Sequence, residues 1–187
     1  MGLGPRADIK LAEAVRRGIG DDFRFMVDAN HCYTTSDAFE VGRALEDLDA
    51  YWFEEPIAPE DLQGYRELRA GLNVNISGGE AEFNRWGWRS LLESRGLDIA
   101  QPEVCALGGI SEYLRVLALC HAHFTPVVNH VWGSAVAVAT NMHLLASMPD
   151  LPGGMNPWEP MLEFDTTDNK FRDELLETPL EIQAQVA

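Results

Sequence analysis

The chain is built from short apolar runs that end, one after another, on a carboxylate or an imidazole. FRFMVDAN reaches Asp28, AYWFEE reaches Glu54 and VNISGGE reaches Glu80, each 26 residues after the last. LDIAQPE then reaches Glu103, TPVVNH reaches His130 and WEPMLEF opens near Glu159, at intervals of 23, 27 and 29 residues. An ionised group at the end of a buried strand is costly unless water, hydrogen bonds or a cation compensates it. Between the runs lie stretches of helical period: residues 8–18, a helix opening at Ser36, residues 60–70, WRSLLESRG and SEYLRVLALCHAH. SAVAVATNMHLLAS is apolar throughout and reads as a helix packed on both sides. Alternation of this kind predicts an α/β fold with a parallel sheet. The interval approaches that of one unit of a (β/α)8 barrel, roughly 30 residues. Such barrels build their active sites at the C-terminal ends of the strands, so the six polar residues form a ring at one level.

Composition narrows the partners. With 187 residues, 46% of them hydrophobic, the chain can bury one core and is read as one domain over 1–187. A formal net charge of −16 argues against nucleic acid, whose phosphates are read with Lys and Arg. An anionic substrate would need a positive partner, and a divalent cation supplies one. Cys32, Cys105 and Cys120 have no C-x-x-C spacing and imply neither a disulfide framework nor a zinc cluster. No apolar run approaches the ~20 residues of a membrane span, and the first residues lack a secretory pattern. A soluble, cytoplasmic protein is the expectation.

Asp28, Glu54 and Glu80 offer three oxygen ligands from neighbouring strands, a set suited to Mg²⁺ with positions left for water and substrate. Asp28 alone would serve equally as a turn or helix-cap residue. One of Glu54 and Glu55 is expected to be structural or paired with a base. His130, opposite the carboxylates, suits a general base better than a core histidine. His121 and His123 fall at a helix end, where cations complement the helix dipole, and read as structural. His143 reads as structural too. His31 is either a substrate contact or a loop residue, and Trp132 is placed to line a pocket.

VDAN, WFEEP, GGE, DIAQPE, NHVWGS and NPWEP occur in this order, and with them the chain resembles the mandelate racemase/muconate lactonizing branch of the enolase superfamily. NHVWGSAVAVA and the stretch WEPMLEFDTTDNKFRDELLETPLE resemble acid-sugar cycloisomerases of the galactarolactone and 3,6-anhydrogalactonate type. The resemblance implies that Asp28, Glu54 and Glu80 bind Mg²⁺ and that His130 is the acid/base. It implies that Glu103 forms a dyad with His130 and that Glu159 hydrogen-bonds the carboxylate end of the substrate. The chemistry implied is proton abstraction α to a carboxylate through a metal-stabilised enediolate, with a small acid sugar or sugar lactone as substrate.

Two departures stand out. The family's usual Asp after QP is Glu103 here, which lengthens the dyad by a methylene. Only Met1 precedes GLG, where the family carries a K-x-K pair. The fold expected is therefore a partial TIM-type barrel, strands three to eight of an enolase-type C-terminal barrel, with the capping domain absent and both ends truncated. Residual activity at most is expected of the chain alone, and a homo-oligomer of the full-length form. Cycloisomerase is the leading activity. A dehydratase, a racemase or epimerase, and a non-catalytic truncated barrel are the alternatives.

Overall fold

A computed structural model describes residues 1–149 and 160–178. Four strands, β1 (Phe25–Asp28), β2 (Ala50–Glu54), β3 (Asn75–Gly78) and β4 (Ile99–Ala100), pair in parallel and in chain order. Parallel bridges from Ala100 to Val127 and from Asn129 to Leu162 carry the same order into two further segments. The helices are α1 (Pro5–Ile19), α2 (Thr35–Asp47), α3 (Leu62–Gly71), α4 (Arg85–Ser94), α5 (Ile110–Ala122), α6 (Ala135–Ser147) and the short α7 (Lys170–Asp173). This is the parallel α/β fold that the alternation predicted.

Local chemistry sets the boundaries. Pro5 starts α1 three residues before the apolar period does, because a proline in the first helical turn loses no hydrogen bond. Thr34, Asp61 and Asn84 cap α2, α3 and α4, each accepting from a first-turn N–H with its side chain. The expected strand TPVVNH is held only by isolated bridges. Nor is α6 covered on both sides. It buries Ala135, Ala137, Val138, Asn141 and Leu144, while Val136 and Met142 are exposed.

Strand alternation decides which residues reach the site. One face of the sheet packs on the helices through Val27, Phe53 and Ile76, against Val41, Leu45, Leu68 and Trp88. The opposite face carries Trp52, Ile99 and Val128, with Met26 and Met161 packed against them. Two residues beyond each of these inner residues stand Asp28, Glu54, Gln101, His130 and Glu163. The third strand departs from the count. Asn75 and Ser77 pair with Trp52 and Glu54, which would put a residue at 79 on the inner face. Gly79 occupies that place at φ 121°, and a Cβ there would stand 2.3 Å from the Trp88 ring. The turn delivers Glu80 instead.

Arg16 locks the opposite end of the sheet. Its buried guanidinium donates to the carbonyls of Gly20, Phe23, Leu48 and Asp49 at 2.8–2.9 Å and lies 5.2 Å from the centre of the Phe25 ring. It joins α1 to the loops entering β1 and β2. Removing it leaves four carbonyls without their donor. Arg16→Met is expected to cost about 2–4 kcal/mol, read as a lower urea midpoint at unchanged slope.

Candidate metal and proton-transfer site

The parallel ladder places the carboxylates. Asp28 is the register partner of Glu54, and Glu54 of Ser77, three residues before Glu80. Past the strand ends the ladder continues, as Ala29 N–H donates to Glu54 O at 2.9 Å and Glu55 N–H to Ser77 O at 3.0 Å. Asp28 lies exposed at the mouth and accepts from Asn30 N–H at 2.8 Å. Glu54 is buried, with the Gln101 side chain hydrogen-bonded to it. His130 Nδ1 sits 2.8 Å from Glu80 Oε2 and 3.2 Å from Glu163 Oε2. These are ion-pair distances without the angle of a good hydrogen bond.

A buried polar chain holds His130 from behind. Tyr113 O–H donates to Asn129 Oδ1 at 2.6 Å, Asn129 Nδ2 donates to Asn141 Oδ1 at 2.9 Å, and Asn141 Nδ2 donates to Ala137 O at 3.0 Å. The residue before the histidine is thereby tied to α5 and α6, and all three side chains are satisfied.

Ligand-type atoms of Glu54, His130 and Glu163 fall within 4.8 Å of one another. Strand-end spacing does not single out Glu163, because the interval from His130 points to Glu159. Glu159 lies outside the described residues. The bridge from Asn129 to Leu162 puts Glu163 level with His130, and its Oε2 accepts from Val131 N–H at 2.6 Å. Gln101 escapes the sequence pattern as well, since a neutral amide carries no charge signal. Two-residue counting from Ile99 would find it.

The expected dyad does not form as a direct contact. Glu103 is buried, but its Oε1 accepts from Cys105 N–H at 2.8 Å, and no hydrogen bond joins it to His130 among the described residues. The glutamate folds back onto its own turn. Glu55 lies on the other face of β2 from Glu54, lining a small cavity with Tyr65, Gly79 and Leu97. His121 and His123 stand at the C-terminus of α5 as expected.

Burial governs the electrostatics, and crowding of like charges adds to it. Burial pushes the Glu54 carboxyl up to about 7, and Asp28, Glu163 and Glu80 add to the rise against the Gln101 bond. Glu55 is pushed up to about 8, by burial first and then by Glu80, Asp28 and Glu54. Asp28 is raised too, by partial desolvation and then by Glu80 and Glu163 against its bond from Asn30. Burial by itself would lower His130, but Glu163 and Glu80 outweigh it and raise the imidazole to about 11. Beside Glu54, Gln101 Oε1 has no hydrogen-bond partner among the described residues, and the carboxylates of Glu80 and Glu163 share the single imidazole of His130. A cluster rich in hard oxygen acceptors and short of donors fits a divalent cation.

Known proteins share this fold. Residues 1–184 match the family described as enolase C-terminal domain-like, and the chain belongs to it. It is 40% identical to a D-galactarolactone cycloisomerase of Agrobacterium fabrum over 97% of this chain and 48% of the relative. It superposes on the 3,6-anhydro-D-galactonate cycloisomerase of Zobellia galactanivorans with a TM-score of 0.86 and 40% identity, over 94% of this chain and 47% of the other. It also superposes on a mandelate racemase/muconate lactonizing protein from Paracoccus denitrificans complexed with magnesium, with a TM-score of 0.76 and 31% identity, over 86% and 47%. The chain thus spans about half the length of these relatives. No helix among the described residues is long and apolar enough to cross a membrane.

The shifts predict how the metal-free protein responds to pH. Glu54 and Glu55 bind protons more tightly folded than unfolded, so their contribution is fully present below about 4.5 and is lost as pH rises through about 7 and 8. His130, raised above its unfolded value of 6.5, acts in the same direction. In EDTA, stability should fall from pH 5 to pH 8 at about 1.4 kcal/mol per pH unit for each proton released. Millimolar Mg²⁺ should flatten that slope, as read by thermal melts across the range.

Proposed function

We propose that this chain carries the metal-binding and proton-transfer part of an acid-sugar lyase or isomerase, with cycloisomerase the leading activity. The carrying observation is the cluster of Glu54, His130 and Glu163 at the end of the parallel sheet, with Asp28 in register with Glu54 and Glu80 at 2.8 Å from His130. Asp28, Glu54 and Glu80 would hold Mg²⁺. Bound there, the cation would chelate the substrate carboxylate and stabilise the negative charge that grows as the α-proton leaves.

The chain's own residues do the rest. His130 is the base for the α-proton, held in place by Asn129 and its bonds to Tyr113 and Asn141. Glu163 and Glu80 raise the imidazole to about 11, which favours its protonated form. Were Glu80 engaged by a cation, one of these carboxylates would be withdrawn and His130 would more readily be free to accept a proton. Glu163, fixed by Val131 N–H, faces the same space and is placed to steady the imidazolium once it forms. The substrate-end role that the resemblance gives to Glu159 remains part of the proposal. A sugar lactone or anhydro-sugar acid, as in the names of the two cycloisomerases, is the substrate class proposed, and a homo-oligomer the assembly.

Three measurements test this. Mg²⁺ at about 100 times its dissociation constant should stabilise the chain by roughly 2.7 kcal/mol, and Asp28→Asn should abolish the shift. No shift in a cooperatively folding wild-type protein would overturn the metal assignment. Proton NMR of His130 should show its pKa falling when Mg²⁺ is added, and solvent deuterium should exchange into the α-position of D-galactarolactone or 3,6-anhydro-D-galactonate. His130→Asn should remove that exchange. Release of a 2-keto-3-deoxy acid from an open-chain acid would assign the dehydratase activity instead.

A further inference from the structure

Glu55 is 1% exposed, and neither of its oxygens has a hydrogen bond of good geometry. A buried carboxylate in that state is expensive, so its retention beside Glu54 calls for a physical reason. Its approach partner is His31, whose Nε2 lies 2.9 Å from Glu55 Oε2 while Nδ1 faces the Ile57 carbonyl at 3.4 Å. The ring therefore spans from the loop after β1 to the loop after β2.

The backbone around this contact is unusual. Asn30, His31 and Glu55 lie in the left-handed region at φ 46°, 62° and 39°. Non-glycine residues occupy it at a cost of order 1 kcal/mol or more, and they persist there only when their surroundings over-determine them. The surroundings here are main-chain bonds between the two loops. His31 N–H donates to Glu55 O at 2.7 Å and Tyr33 N–H to Pro56 O at 3.2 Å. Asp28 and Glu54 sit at the base of these two loops as register partners.

We propose that His31 and Glu55 form a clamp that does not ligate the metal but fixes the spacing of Asp28 and Glu54, making both positioning residues of the metal site. The assignment rests on the metal site proposed for Asp28, Glu54 and Glu80. Glu55 follows the end of β2 in a left-handed conformation and packs beside Tyr65 and Leu97, residues of the helix-side core. There it acts on the site only through the backbone it anchors. The left-handed turn at 30–31 brings the His31 ring over Glu55, and so ties one ligand-bearing strand end to the next. To ligate the metal itself, Glu55 would have to leave its pocket. A carboxylate kept for stability alone would be expected to have satisfied oxygens.

The test uses His31→Ala and His31→Gln, the latter keeping a donor at similar reach. The first readout needs no metal. Amide hydrogen exchange at residues 29–33 and 54–57 should quicken by tenfold or more in His31→Ala, with β3 and β4 unchanged, and His31→Gln should restore most of the protection. The second is the Mg²⁺ dissociation constant by calorimetry, expected to rise 10–100-fold in His31→Ala and to recover in His31→Gln. Unchanged exchange in both loops overturns the clamp, whatever the metal does. An unchanged dissociation constant with quickened exchange removes its role at the metal site. If the wild type binds no Mg²⁺ while the loops respond as stated, the metal assignment fails and the clamp remains as a structural tie. Glu55→Gln is the complementary variant, keeping shape while removing charge, and it should quicken exchange in the same two loops.

Discussion

The register of Asp28 on Glu54 is the constraint on which the rest of the site depends. The β1–β2 ladder shifts register between Phe25 and Met26, and from Met26–Trp52 onward it is regular, so that pairing fixes the face of each residue up to Asp28 and Glu54. Once Met26 and Trp52 face inward, Asp28 and Glu54 must do so as well, and Val27 and Phe53 must face the helices. A slip of a single residue would bury Asp28 against α2 and expose Phe53. Hydrophobic burial on the two faces therefore holds in place carboxylates that would repel one another if free to move. The acids remain together because the apolar residues between them have nowhere else to go.

That arrangement carries an electrostatic penalty, and the protein distributes it. Gln101 and the Asn30 N–H stabilise the anionic forms of Glu54 and Asp28. His130 lies between Glu80 and Glu163. Arg16, buried at the far end of the sheet, bonds only carbonyls, and the Arg85–Glu112 pair joins α4 to α5 on the outside. Neither arginine neutralises the cluster. The positive group beside Glu80 and Glu163 is an imidazole, whose charge can be withdrawn.

The sequence exposed much of this through spacing. Asp28 and Glu54 were legible because each ends a short apolar run, 26 residues apart, and Glu80 because GGE marks a turn that a glycine must make. Glu163 was hidden by WEPMLEF, which holds two glutamates, where the interval from His130 favoured the first. Only pairing with Asn129 identifies the second as level with the histidine. The roles of Glu54 and Glu55 could not be separated by type, only by the face each takes. No direct bond joins Glu103 to His130 among the described residues, where Glu103 Oε1 accepts from Cys105 N–H in its own turn, and local chain geometry of that kind does not show in a motif. The helix α6 looked fully buried because periodicity reports how apolar a helix is, not what is available to cover it.

The clasp made by Arg16 has an evolutionary consequence. Its four acceptors are main-chain oxygens, so it recognises where the backbone goes and is indifferent to which side chains hang from it. Phe23 and Leu48 can drift to other residues without loosening the joint, whereas Arg16 has no substitute of equal reach and donor count. Related chains should accordingly show one unvarying arginine surrounded by positions of free choice, an invariance that marks architecture and not chemistry.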